Sequence, residues 1–230
     1  MRNATRMFMK AAAVVTLSAV AVATTSTSAQ AQVGAQINLV GSVNLNDQPG
    51  NPANLFVDFV NNFVLATPSI TGVFTPEIVP FNTTGTINDV VVGPLGLVSV
   101  GGTPFIAIGG YSFSLTSTPL ATGGGLTYGP IRISQEQNGV SASLSVNGTV
   151  TGGDFGSAMV PYIGLFTTQF TSQEFATPEA LFTFINTGGA ITDKSFSATL
   201  QVVPEPSTYM LLATGLGALG LVARRRRTNV

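Results

Sequence analysis

The chain has 230 residues, with 9 lysines and arginines against 10 aspartates and glutamates, no histidine and no cysteine. Without those two residue types, Ser-His-Asp and Cys-His nucleophilic sites and the common zinc sites are excluded. No disulfide can form either, so the fold rests on burial and backbone hydrogen bonds.

At the N-terminus, Arg2, Arg6 and Lys10 form a basic start, Ala11 to Ala23 is a mostly apolar run, and Ala29-Gln30-Ala31 is a small-x-small cleavage site. These features predict a secretory signal peptide over 1–31, cut after Ala31. The rival reading is an uncleaved anchor, which needs about 20 apolar residues, more than this run supplies.

The stretch 32–203 is long enough for one hydrophobic core and short for two. Its only cations are Arg132 and Lys194, against the nine acids Asp47, Asp58, Glu77, Asp89, Glu136, Asp154, Glu174, Glu179 and Asp193, a net charge of −7. Two cations cannot make the many phosphate contacts that nucleic-acid binding needs, which excludes that partner, and an anionic membrane surface is an equally poor one. The acids are scattered, as solubilising surface charge is.

The body reads as strands. Tyr111, Phe113 and Leu115 alternate with Ser112, Ser114 and Thr116; Val140, Ala142, Leu144 and Val146 alternate with Ser141, Ser143, Ser145 and Asn147; Phe196, Ala198, Leu200 and Val202 alternate with Ser195, Ser197, Thr199 and Gln201. A period of two sends one set to a core and the other to water. Further strands are predicted over 36–45, 55–60, 85–92, 105–108, 127–134, 159–166 and 181–185. Turn chemistry separates them, at Asp47 to Pro52, Gly101-Gly102, Gly109-Gly110, Gly123-Gly124-Gly125, Asn138-Gly139, Gly152-Gly153 and Gly188-Gly189. Thr177-Pro178-Glu179-Ala180 opens either one short helix through Phe184 or a strand. About ten strands with frequent glycine turns predict a single antiparallel β-sandwich or jelly-roll-like domain over 32–203. No fixed-length repeat supports a solenoid. The many phenylalanines, in apolar contexts, are expected to pack a core.

Chemistry is sparse. Ile191 stands where a Ser-x-x-Lys motif would place its serine before Lys194. A carboxylate pair of the glycosidase kind is formally open, but no two acids are close enough in sequence to point to it. Asn46-Asp47, Asp89 and Asp154 lie next to turns and are weak Ca²⁺ candidates, without an EF-hand loop or a glycine-aspartate repeat. No catalytic residue and no cofactor are expected.

The tail is the most specific segment. Pro204-Glu205-Pro206 precedes an uncharged stretch from Ser207 to Ala223, and Arg224, Arg225, Arg226 and Arg227 follow it. As a helix, 207–223 reaches about 25 Å, the short end of a membrane span, with Tyr209 near one interface and the arginines at the other. Pro204 and Pro206 cannot continue that helix backwards. Four arginines stop translocation and keep the C-terminus in the cytoplasm.

This arrangement, Val203-Pro204-Glu205-Pro206-Ser207-Thr208, then Leu211, Leu212, Gly215, Leu216, Gly217, Leu219 and Gly220, then the arginine cluster, resembles the PEP-CTERM sorting signal of Gram-negative bacteria. The resemblance covers 203–230 and implies recognition of Pro204, Glu205 and Pro206 by exosortase, a membrane enzyme with a cysteine-protease-like site. It further implies a precursor held in the inner membrane, removal of the tail, and passage to the cell surface or matrix. The expected protein is therefore an exported, non-enzymatic structural or adhesive component of the envelope, extracellular matrix or biofilm. Its expected partners are exosortase, the export machinery and extracellular polysaccharide. The alternative is a carbohydrate- or Ca²⁺-binding β-sandwich module.

Overall fold

The structure is a computed structural model that describes residues 35–48, 51–67, 70–74, 78, 82–203, 212–217 and 219. The signal-peptide residues Ala29 and Ala31, the motif Pro204, Glu205 and Pro206, and Arg224 to Arg227 lie outside the described residues. Residues 33–205 form one unit. In the second, 1–32 with 206–230, the described residues 212–217 are helical and exposed. Among the described residues no helix is long and apolar enough to cross a membrane.

The first unit is built of antiparallel strands. In chain order they are β1 (Gln36–Gln48), β2 (Asn51–Phe59), β3 (Phe63–Ala66), β4 (Thr84–Ile87), β5 (Val90–Gly93), β6 (Gly96–Val100), β7 (Ile106–Ile108), β8 (Tyr111–Ser117), β9 (Leu126–Tyr128), β10 (Ile131–Glu136), β11 (Gly139–Gly152), β12 (Val160–Thr171) and β13 (Ile191–Val202). Among its described residues one α-helix, α1 (Pro178–Asn186), stands between β12 and β13.

Alternation explains the walls. Ile37, Leu39, Val43 and Leu45 on β1, and Phe196, Ala198, Leu200 and Val202 on β13, are buried, while their neighbours Gln36, Asn38, Ser195, Ser197 and Gln201 reach the surface. The architecture is a barrel and not the expected sandwich or jelly roll. β1 pairs with β13 from Gln36↔Gln201 to Leu45↔Ile191, so the first and last strands join. With β12, β11, β8, β7, β4 and β3 they form a closed eight-strand barrel. A two-sheet sandwich and a barrel share the same period of two, and only this long-range pairing separates them.

Two long strands fork. β1 keeps β13 on one edge and gives the other first to β3, then to β2; β11 keeps β12 on one edge and divides the other between β8 and β10. Beyond the forks the wall continues through β2, β5 and β6 on one side and β10 and β9 on the other. The two flaps meet where Gly129 (φ 57°) backs onto the Gly93 carbonyl, leaving no room for a Cβ. α1 covers this wider end, burying Leu181 and Ile185.

The interior is filled with side chains, as an eight-strand barrel permits. At mid-height Phe59, Phe105, Phe166 and Phe196 pack edge-on or tilted, with ring centroids 5.2–6.1 Å apart. Towards the end opposite α1, Phe74 packs on Tyr111, Phe113 and Phe155 at 4.9–6.0 Å. Each such pair adds about 0.5–1.5 kcal/mol beyond simple burial. The expected aromatic core is therefore present, although Phe63 and Phe184 are exposed. Curvature needs small residues opposite these rings. Gly148 sits across from Tyr162, and a Cβ there would overlap the Ser114 carbonyl and the tyrosine ring.

Locally, one open choice is decided, two expected strands change, and two strands come without a sequence signal. Residues 181–185 are helical, because the Thr177 hydroxyl accepts from Ala180 N (3.3 Å) with Pro178 in the first turn. The strand expected over 85–92 breaks at Asn88 and Asp89. There the Asn88 side chain donates to the Pro104 carbonyl (2.7 Å) and the Asp89 carboxylate accepts from Phe59 N (2.8 Å). The strand expected over 127–134 is a hairpin turning at Gly129. β3 and β6, short and without clean alternation, had no sequence signal.

Candidate functional site

The chain leaves the barrel along β13, and this exit is the best-defined functional feature. β13 is paired on both edges, with β1 and with β12. Leu200 and Val202 are buried in the core. Val202 N donates to the Ala35 carbonyl and Val203 N to the Pro161 carbonyl, each at 2.9 Å. The wall thus holds the backbone up to the residue before Pro204. Proline has no N–H, so a ladder running down β13 loses its donor at 204 and again at 206. The sequence signal for this exit was present in the alternation that runs through Val202 and stops at Pro204. The partners Ala35 and Pro161 were not readable from it.

The three aspartates proposed for Ca²⁺ do not converge. Asp47 lies near the α1 end of β1, beside Tyr128 and Gly188. Asp154 is exposed in the turn after β11, at the opposite end; along the strands this separation is about 30 Å. Asp89 lies between them, half-buried. Burial holds its carboxyl above the usual value of 3.8; the Phe59 N–H bond opposes this, and the nearby Asp58 reinforces it. Among the described residues no group of three or more acidic side chains gathers to hold a metal ion.

Both cations of the body hold their own chain. Arg132 Nε donates to the Gly124 carbonyl (2.8 Å), tying down the glycine-rich loop. Lys194 pairs with Glu174, whose carboxyl is held below its usual 4.5 by that hydrogen bond first and by Thr171 N second. The Tyr162 hydroxyl is buried without a partner among the described residues, and burial pushes its pKa up.

A small apolar pocket of about 40 Å³ lies among Val57, Phe59, Ala142, Leu144, Phe166 and Phe196. The outer wall is more distinctive. Two rows cross four adjacent strands, Ser145–Leu165–Thr199–Asn38 and Asn147–Ile163–Gln201–Gln36. They carry hydroxyls, amides and two apolar side chains, Ile163 and Leu165, exposed to 48% and 46%. No charge interrupts these rows, and each extends about 15 Å at the usual strand spacing.

Residues 202–227 match the family model described as the PEP-CTERM protein-sorting motif. The chain thus carries the sorting motif its tail resembles, and the match begins on the last residue of β13. The motif implies exosortase-dependent sorting of an exported protein. No curated protein and no solved structure matches the chain.

Proposed function

We propose that this protein is a non-enzymatic structural or adhesive component of the cell surface or extracellular matrix, including biofilm. It is held in the inner membrane by its tail and released there by exosortase. The observation that carries this reading is the sorting motif joined without a spacer to a filled barrel. Support also comes from the body's chemistry: its cations hold its own loops. The uncharged rows around Ile163 and Leu165 suit contact with a neutral matrix surface such as polysaccharide, because no like charge has to be desolvated there.

The test is fractionation of cells expressing the full chain or a form lacking 204–230. The full chain is expected in the surface or matrix fraction, and the truncated form is expected to be lost from it. An unchanged route and final address for the truncated form refutes the reading. A null strain is expected to adhere less or hold less matrix, with recovery on restoring the full chain; unaltered adhesion removes the adhesive role.

A further inference from the structure

We infer that the outer wall around Phe63 is a binding site for a neutral polysaccharide chain, with one sugar ring stacked on the phenyl face; this gives the adhesive reading a ligand and rests on it.

Most described phenylalanines of the body fill the interior, but Phe63, the first residue of β3, is 44% exposed. The exposed Phe184 leans on the Phe175 ring at 5.3 Å. Phe63 meets no other ring among the described residues, so its apolar face is left to a ligand.

The fork of β1 makes a hollow beside this ring. β1 pairs with β3 at Leu39 and Val40 and with β2 from Val43 onward, and the turn Val60–Asn62 joins those two partners. In the gap Ser42, Asn61, Phe63, Asp193 and Ser195 line one hollow. On the other side of Phe63 a second hollow runs along Asn62, Thr84, Thr86 and Ser112. Phe63 belongs to both and forms the ridge between them. A single sugar fills one hollow, whereas a polymer crosses the ridge with a unit on the ring.

The backbone is bent to present the polar groups. Among the described residues, the non-glycine positions with left-handed φ are Asn61 (56°), Asn62 (50°) and Asp193 (54°). All three line these hollows, arriving from the two sides of β1. Backbone strain of this kind persists only where the surroundings enforce it, and it gathers at ligand sites. Here the enforcing contacts are visible. Asn62 Nδ2 donates to the Ile87 carbonyl (2.9 Å) and fixes the turn. The β1–β13 register shifts between Val43 and Leu45, and Asn44 Oδ1 accepts from Asp193 N (2.7 Å) in that bulge. The side chains of Asn61 and Asp193 have no hydrogen-bond partner among the described residues.

This set selects its ligand. A phenyl face covers the C–H face of a pyranose ring, while a carboxylate, an amide and hydroxyls pair with the sugar hydroxyls. The lining carries the charge of Asp193 and no cation, and the neighbouring Lys194 is paired with Glu174. A uronate polymer would be repelled, and a wholly apolar partner would leave the carboxylate desolvated and unpaired. A neutral chain rich in hydroxyls meets both conditions.

The test measures binding of the purified full chain, in a detergent without a sugar headgroup, to an immobilised glucan, mannan and galactan, with polygalacturonate as the anionic comparison. At least one neutral polymer is expected to bind, and polygalacturonate is not. Phe63→Ala should weaken that binding roughly two- to tenfold, the worth of one aromatic contact. Phe63→Tyr should retain it. Asp193→Asn, which tolerates the same left-handed backbone, should weaken it by a similar factor. Leu95→Ala, an exposed apolar side chain outside both hollows, should leave it unchanged, and all variants should melt like the parent. Parental binding by Phe63→Ala overturns this inference. If binding is instead lost with Ile163→Ala, the ligand lies on the rows of β12 and the adhesive reading stands. Binding of no neutral polymer, or of polygalacturonate alone, also overturns the inference, and the adhesive reading is then decided by the null strain.

Discussion

Closure of the barrel by its first and last strands can be tested with one engineered bridge. Ser42 on β1 faces Ser195 on β13, and both side chains reach the outer surface. Directly opposed residues of antiparallel strands lie about 4.5–5.5 Å apart at Cα, inside the roughly 4.4–6.8 Å range that a disulfide spans. The chain has no cysteine, so Ser42→Cys with Ser195→Cys creates a single bridge with no competitor. It closes a loop of about 150 residues, for which the chain-entropy model gives roughly 5 kcal/mol of stabilisation. If half survives local strain, about 2.5 kcal/mol raises the midpoint of a body this size by about 5–10 °C. The assay is thermal unfolding with and without reductant, with oxidation followed by mass. In a two-sheet sandwich these strands could lie on opposite sheets about 10 Å apart, beyond bridging distance. Ser143→Cys with Thr167→Cys, across the β11–β12 hairpin, is the control, since that hairpin exists in either architecture. A control pair that oxidises while the Ser42/Ser195 pair stays reduced would refute the closure.

Two further changes probe the interior and the wall. The Tyr162 hydroxyl is buried and unpartnered among the described residues, and such a group costs about 1–3 kcal/mol. Tyr162→Phe should therefore raise the melting midpoint by about 2 °C or more; a fall would mean that the hydroxyl has found a partner such as an internal water. Asp89 has a folded pKa raised chiefly by burial, so its contribution favours the fold fully below its unfolded value near 3.8 and is lost as pH rises through the folded value. Asp89→Asn keeps an oxygen for Phe59 N and removes the buried charge. It should melt higher than the parent at about pH 7, with the difference shrinking towards about pH 4. A constant difference across that range would contradict the burial argument.

Sequence by itself determined the strand character of the body, its aromatic filling and its sorting signal, because each is written in neighbouring residues. The alternation of Phe196, Ala198, Leu200 and Val202 follows from a backbone that turns over every second residue. Proline, glycine and arginine in the tail act through their own chemistry. Turn glycines marked most strand ends, yet Gly129 turning one expected strand into a hairpin, and the break at Asn88 and Asp89, depended on the Gly93 carbonyl, Pro104 and Phe59, which are distant in the chain. The helix at Pro178 stood open in sequence because a short apolar run fits either state; its seat over the barrel end, with Leu181 and Ile185 buried, decided it. Only the tertiary structure joined β1 to β13, spread Asp47, Asp89 and Asp154 apart, and placed Ala35 and Pro161 against the last two residues before the motif. Those outcomes are pairings between segments up to the whole body apart. A period of two says which face of a strand is buried but carries no information about which strand lies beside it.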